Sequence, residues 1–203
     1  MLIDTGERVV PEFMKPINRL LLEHVARYDF AIHYSNGRLL DIACGVGYGA
    51  QMIAKAAKSR LNEIVAVDLS EETIEYARGR YHHPLISYRV YNAEDKQLPE
   101  QLGLFDTIVS FETLEHLPND RQFLSNLYSM LKPGGQLILS TPFGEGRGKP
   151  CGSPFHVHQL KIEEFQSLFA QYKETEFYFQ RGSLIEPQRK NIEYPVGIAV
   201  CTK

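Results

Sequence analysis

The chain has 203 residues, 43% of them hydrophobic, which is enough to bury the core of one domain. Its net charge of −3 argues against a nucleic-acid partner, which would call for a basic surface. We see no basic N-terminal run followed by an apolar stretch, as in a signal peptide, and no apolar run near the ~18 residues that a membrane span requires. We therefore expect a cytoplasmic protein with reduced cysteines and no membrane partner. The oligomeric state is undetermined.

Residues 1–34 are predicted to form an irregular arm followed by a helix. The arm covers residues 1–13, which have no clear hydrophobic period. Apolar side chains recur at helical spacing over residues 14–33, which predicts a helix there. A turn at residues 35–37 then leads into the first strand, at residues 38–43.

Strands and helices alternate along the next hundred residues. Further strands are predicted at 63–68, 86–91, 105–111 and 136–141, and helices at 49–59, 71–81 and about 120–131. Such alternation is typical of a mostly parallel sheet with helices on both faces and right-handed crossovers. A helix at about 162–172 and two strands, at 174–180 and 197–201, separated by a solvated loop, complete a single domain over residues 1–203.

The first strand ends in an acid and a glycine-rich turn, which runs from Asp41 through Gly45 and Gly47 to Gly49. A strand that ends in this way exposes backbone N–H groups and a carboxylate beside a helix N-terminus, as a ligand site requires. The spacing also fits the dinucleotide fingerprint G-x-G-x-x-G/A. Asp68 ends the second strand, where an acid can accept hydrogen bonds from ribose hydroxyls.

These segments together resemble the class I S-adenosylmethionine-dependent methyltransferases. The resemblance is carried by residues 39–49, 65–70, 91–94 and 105–111, and it continues through 131–137 and 140–142. It implies a Rossmann-like sheet of seven strands with the last strand antiparallel, and S-adenosylmethionine as the cofactor. The implied cofactor-binding residues are Asp41, Ala43, Cys44, Gly45, Gly47, Asp68, Leu69, Asn92, Ala93, Glu94 and Ser110.

Within that resemblance, the glycine turn holds the methionine part of the cofactor, Asp68 the ribose, and Asn92 with Ala93 the adenine. The alternatives are an NAD-dependent oxidoreductase and a non-catalytic nucleoside-binding module. Asp41 separates the two enzyme classes, because its carboxylate would repel the pyrophosphate of a dinucleotide but assist a sulfonium cofactor.

The fourth strand is followed by the segment Glu112-Thr113-Leu114-Glu115-His116. If this segment is helical, both carboxylates and the imidazole share one face. The spacing resembles the metal-dependent O-methyltransferases, such as the small-RNA 2′-O-methyltransferases and the ubiquinone-pathway enzymes. That resemblance implies a divalent metal bound by Glu112, Glu115, His116 and a later histidine, for which we prefer His156 over His158. Without a metal, His116 or His156 is a candidate general base.

Residues 143–160 are rich in glycine and proline and follow the fifth strand. Loops of this length inside a compact domain are uncommon and usually functional. We therefore expect this loop, with the arm over residues 1–13, to cover an acceptor pocket. The polarity of that edge favours a small hydroxylated acceptor, such as a sugar or glycan precursor, and hence an O-methyltransferase.

Overall fold

The computed structural model describes residues 8–203, so the first seven residues of the predicted arm lie outside the described part of the chain. A 3₁₀ turn, Pro11–Phe13, precedes helix α1, Arg19–Ile32. The Asn18 side chain accepts a hydrogen bond from the backbone N–H of Leu21 at 3.1 Å and caps the helix. The helix therefore begins about one turn later than the hydrophobic period indicated.

The remaining elements follow the predicted alternation. The strands are β1 Gly37–Ile42, β2 Leu61–Asp68, β3 Ile86–Val90, β4 Phe105–Phe111, β5 Leu131–Pro142, β6 Glu174–Arg181, β7 Leu184–Glu186 and β8 Val196–Thr202. The helices are α2 Tyr48–Ala56, α3 Glu71–Arg80, α4 Leu98–Leu102, α5 Asp120–Met130 and α6 Ile162–Ser167. The Ser70 hydroxyl caps α3 by accepting from the Thr73 N–H at 3.3 Å, as its position indicated.

The strands form one sheet in the order β3-β2-β1-β4-β5-β8-β6-β7. Strands β1 to β5 are parallel, and β8 lies antiparallel between β5 and β6. The predicted Rossmann-like, mostly parallel sheet is confirmed, but the count of seven strands is wrong, because residues 8–203 form eight. The extra strand is β7, which pairs with β6 after the chain reverses at Gly182, whose φ is 60°. Its three residues were too few to stand out from the predicted loop.

Other elements also differ from the prediction. Helix α4 was missed because it has only five residues, and α6 ends at Ser167 instead of continuing to about residue 172. Strand β5 begins earlier than expected: Leu131 already pairs with Phe105, and the register shifts before Gln136 pairs with Thr107. Gly134, with a φ of 76°, lies in that irregular stretch.

The core consists of two apolar layers, one on each face of the sheet. Leu39 of β1 packs in the layer under α1, α2 and α3, whereas its neighbour Leu40 packs in the layer under α4, α5 and α6. Both side chains are fully buried. Burial on both faces explains why the central strands read as continuous apolar runs. No helix within residues 8–203 is long and apolar enough to cross a membrane.

Candidate active site

A cavity of about 740 Å³ lies at the carboxyl ends of the central strands. Strand order reverses between β1 and β4, and ligands of open α/β sheets bind at such a switch point. Most of the site residues predicted from the sequence line this cavity. They are Ala43, Cys44, Gly45, Asp68, Leu69, Asn92, Ala93, Glu94, Glu112, Glu115, His116 and His156.

Asp68 joins the glycine turn to the start of α3. One carboxylate oxygen accepts from the Gly45 N–H and the other from the Ser70 N–H, both at 3.0 Å. Gly45 has a φ of 55°, and a Cβ built on it would meet no atom within 4 Å. The backbone of Gly45 therefore faces open space in the cavity wall, where a ligand can approach it closely.

Three predicted cofactor residues lie behind the wall instead of on it. Asp41 is 1% exposed, and its carboxylate lies 3.4 Å from the hydroxyl of Tyr28. Burial raises the pKa of Asp41 to about 7, although the Tyr28 hydroxyl opposes that rise and the charge of Asp68 adds to it. Gly47 supports the turn, since its carbonyl accepts a hydrogen bond from Tyr88 at 3.1 Å, and Ser110 is fully buried in β4.

The segment after β3 is fixed by its own hydrogen bonds. The amide oxygen of Asn92 accepts from the Glu94 N–H at 2.9 Å, and Glu94 in turn accepts from the Asn119 N–H at 2.7 Å. Asn126 of α5 donates to the Ala93 carbonyl at 2.9 Å. One lone pair of the Asn92 oxygen is thus already used, and the second is left for a ligand.

A second polar group lines the same cavity. Ligand atoms of Glu115, His116 and His156 all lie within 4.8 Å of one another. The His116 Nε2 is 3.8 Å from the Glu115 carboxylate, and the two imidazole centroids are 5.0 Å apart. Glu115 is 1% exposed, and its burial, together with the charge of Glu112, raises its pKa well above the usual value.

Neighbouring groups orient this cluster. Thr141 donates to the Glu115 carboxylate at 3.0 Å, and the carbonyl of Phe155 lies 3.1 Å from the His116 Nδ1. Because a carbonyl only accepts, that bond requires a proton on Nδ1, and it fixes the orientation of the ring. The Val157 N–H donates to the Glu115 carbonyl at 2.8 Å, which holds the loop that carries His156 against this turn.

Glu112 and His158 are not part of this cluster. The residues from Leu114 to His116 form a 3₁₀ turn and Glu112 has a φ of 51°, so the helix that would have aligned its carboxylate with Glu115 does not form. The Glu112 carboxylate instead accepts from Ser140. His158 is buried beside Asp120, at 3.7 Å, whereas His156 lines the cavity.

The described end of the predicted arm closes one side of the cavity. Arg8 and Val9 line it, and Val9 is 5% exposed. The Glu12 carboxylate attaches this segment to α3 by accepting from Tyr81 at 2.7 Å and from Arg80 at 2.8 Å.

Sequence reasoning did not name the side chains that α1 and α2 contribute to the cavity wall. Leu20, His24 and Tyr28 recur at four-residue intervals on α1 and all line the cavity, as does Tyr48 of α2. A histidine within an apolar helical stripe was the available signal. Burial lowers the pKa of His24 well below its usual value, and the charge of Arg27 lowers it further, so this imidazole is neutral.

Comparison with known proteins agrees with this geometry. A family profile described as "Methyltransferase domain" matches residues 40–139. The chain is 34% identical over 169 residues to a probable S-adenosylmethionine-dependent methyltransferase of Mycolicibacterium smegmatis, covering 81% of this chain and 62% of the relative. It is 35% identical over 130 residues to a ubiquinone biosynthesis O-methyltransferase of Xanthomonas euvesicatoria, covering 62% of this chain and 50% of that protein.

The fold is also similar to solved structures. A TehB-like methyltransferase from Corynebacterium glutamicum superposes with a TM-score of 0.62 at 23% identity, covering 88% of this chain and 86% of that one. The chain spans less than two thirds of the length of the curated relatives named above.

Proposed function

The chain belongs to the class I S-adenosylmethionine-dependent methyltransferase family, and we propose that it transfers the cofactor's methyl group to an oxygen of a small hydroxylated acceptor. The observation that carries this proposal is the pairing, in one cavity, of the Asp68-linked glycine turn with the Glu115, His116 and His156 group. The first offers a nucleoside site and the second a site for activating a hydroxyl. Similarity to the ubiquinone biosynthesis O-methyltransferases supports oxygen as the methylated atom.

On the cofactor side, we assign the methionine part to the backbone of Ala43, Cys44 and Gly45. Asp41 lies behind them and supplies negative charge to the cationic cofactor. His24, Tyr28 and Tyr48 close this end of the cavity. An NAD-dependent oxidoreductase is disfavoured, because a dinucleotide would bring its pyrophosphate to the same carboxylate.

We assign the ribose to Asp68. We assign the adenine to Leu69 together with the segment from Asn92 to Glu94. Ribose hydroxyls can donate to the Asp68 oxygens, since each carboxylate oxygen has a second lone pair besides the one that it uses toward the backbone.

On the acceptor side, we propose that a histidine receives the proton of the acceptor hydroxyl. The acceptor oxygen attacks the methyl carbon in line with the sulfur, the carbon–sulfur bond breaks, and S-adenosylhomocysteine leaves. His116 fits the role of base, because its ring lines the cavity and the Phe155 carbonyl, 3.1 Å from its Nδ1, orients it there. His156 is the second candidate, since its ring lies at the same place on the wall.

The same group suits a divalent metal. One carboxylate and two imidazoles, oriented by Thr141 and by a backbone carbonyl, form a donor set that borderline ions such as Zn²⁺, Fe²⁺ or Mn²⁺ accept. We propose Glu115, His116 and His156 as the ligands, without Glu112. A bound ion would lower the pKa of a coordinated hydroxyl, which is the chemistry that an unactivated alcohol lacks.

Calorimetry tests the cofactor assignment. We expect S-adenosylhomocysteine to bind and NAD not to bind, and binding of NAD alone would contradict the family-based proposal. Turnover with S-adenosylmethionine on a hydroxylated acceptor distinguishes the enzyme from a non-catalytic nucleoside-binding module.

Elemental analysis and chelation separate the metal from the histidine base. If a metal acts, a chelator and Glu115→Gln should both abolish methyl transfer. If transfer survives both but is lost in His116→Asn, the imidazole acts as a plain base.

A further inference from the structure

The loop that carries His156 is a long segment between β5 and α6, and the described chain has no helix or strand within it. It begins and ends at one place, because Phe143 pairs with Leu160 and the Gly144 N–H donates to the Leu160 carbonyl at 2.9 Å. A pairing at the base of a loop does not determine where its middle residues lie. Contacts farther along the loop must therefore determine the position of His156.

Arg147 attaches the first half of this loop to two helices. Its guanidinium pairs with the Asp120 carboxylate at the start of α5, and its backbone N–H donates to the Glu164 carboxylate of α6 at 3.2 Å. The Asp120 side chain is only 7% exposed, whereas that of Arg147 is 42% exposed. A buried carboxylate is costly unless it is paired, so Asp120 favours the loop position in which Arg147 reaches it.

The second half of the loop reaches the same carboxylate. His158 is buried, and its Nε2 lies 3.7 Å from Asp120. Just before it, the Val157 N–H donates to the Glu115 carbonyl at 2.8 Å. The described residues that line the cavity include His156 but neither His158 nor Asp120. His156 therefore precedes two consecutive residues that are held by contacts outside the cavity.

Helix α5 does not explain why Asp120 is buried. The preceding residue, Asn119, caps this helix by accepting from the Gln122 N–H at 3.3 Å. An acid in the first turn of a helix also gains from the helix dipole when it is exposed to solvent, so the dipole does not require burial. Arg147 and His158 instead approach the Asp120 carboxylate from two parts of the loop.

We propose that Asp120 is a positioning residue for His156. Its carboxylate brings together Arg147 from the first half of the loop and His158 from the second, and so holds the loop with the His156 ring 5.0 Å from the ring of His116. The inference rests on the proposed function, in which His156 is a base or a metal ligand. It goes beyond that function because Asp120 acts through the loop, from outside the cavity.

NMR spectra of isotopically labelled histidine rings test this inference in the protein without ligands. The His156 signals are assigned from their loss in His156→Gln, and in the wild type they should differ from those of the urea-unfolded protein. Arg147→Gln removes the cation and should move the His156 signals toward their unfolded positions, whereas Arg147→Lys retains the cation and should restore them. The ring of His24, on α1, is the internal reference and should not change.

Lys149→Gln is the matched control, because it removes the same charge from an exposed position on the same loop. Its His156 signals should be those of the wild type. His156 signals that stay in place in Arg147→Gln, or that move equally in Lys149→Gln, would overturn the inference. Movement of the His24 signals together with those of His156 would show a general loss of structure instead of a positioning role. Wild-type His156 signals at the unfolded positions would show that no contact holds the ring.

Asp120→Asn supplies a second measurement of the same contact. It removes the charge with little change of shape and should also move the His156 signals. Since both substitutions break one contact, adding Arg147→Gln to Asp120→Asn should move the signals no further, and an additive movement would contradict the proposal. If Asp120→Asn does not fold, the exposed substitutions Arg147→Gln and Arg147→Lys decide the question.

Failure of the proposed function is distinguishable from failure of this inference. The ring signals require neither cofactor nor acceptor, so they report the position of His156 whatever the protein methylates. Calorimetry with S-adenosylhomocysteine and turnover with S-adenosylmethionine decide the cofactor and the reaction separately.

Discussion

Replacement of Asp41 by asparagine should stabilise the protein without its cofactor and weaken cofactor binding. Asp41 is buried, and its pKa is raised from 3.8 to about 7. A carboxyl group whose pKa is higher in the folded than in the unfolded protein stabilises the folded state, and it does so fully at pH values below the pKa of the unfolded protein. This contribution to the free energy of unfolding is lost as the pH rises through the pKa of the folded protein. The loss therefore occurs between about pH 4 and pH 7, and asparagine avoids it.

The size of the effect follows from the shift. A difference of about three pKa units corresponds to about 4 kcal/mol, at 1.36 kcal/mol for each unit. This value is an upper limit, because the buried amide also loses solvation. Since 1 kcal/mol moves the melting temperature of a protein of this size by about 2–4 °C, Asp41→Asn should melt several degrees above wild type at pH 8. The two proteins should converge near pH 4.

Thermal melting followed by circular dichroism across this pH range measures the difference directly. Asp106→Asn is a matched control of opposite sign. Burial raises the pKa of Asp106, but hydrogen bonds from the Arg38 N–H and the Lys132 ammonium lower it by more than burial raises it, so the net shift is a decrease. This variant should therefore be less stable than wild type at pH 8. A gain for Asp41→Asn that does not change with pH, or no gain at all, would refute the reasoning.

The same substitution should reduce affinity for S-adenosylhomocysteine, whose ammonium group favours an ionised Asp41. Removing a charge-assisted interaction costs roughly 1.5–3 kcal/mol, or about ten- to a hundredfold in the dissociation constant. Calorimetry in buffers of different ionisation enthalpy should also show wild-type Asp41 releasing part of a proton on binding at pH 7. Wild-type affinity in Asp41→Asn would remove Asp41 from the cofactor site.

Three further outcomes are expected. Glu12→Gln should speed the dissociation of S-adenosylhomocysteine in stopped-flow experiments, because Glu12 attaches the cavity-lining segment to α3; an unchanged rate would contradict this role. Gly47→Ala should destabilise the protein by about 1–3 kcal/mol in urea denaturation, since its φ is 87° and a Cβ would lie 2.6 Å from Tyr88, whereas Gly134→Ala, left-handed but uncrowded, should cost less. Residues 143–160 should exchange amide hydrogens more slowly when S-adenosylhomocysteine is bound; strong protection in its absence would show that they do not act as a mobile cover.

The sequence alone was sufficient for the features that depend on neighbouring residues. The run from β1 through the glycine turn into α2, the acid that ends β2, and the Ser70 cap of α3 all follow from local periodicity and turn chemistry. These short-range patterns also determined the parallel sheet, because alternating strands and helices can connect in few other ways.

Tertiary structure decided which side chains meet in the cavity. Glu112 and Glu115 are three residues apart, yet Glu112 contacts Ser140 and Arg27, whereas Glu115 groups with His116 and His156. His156 joins Glu115 because backbone bonds dock its loop on the turn that follows β4, a contact between segments about forty residues apart. Such pairings depend on packing between segments that are distant along the chain, which leaves no period in the sequence from which they could be predicted.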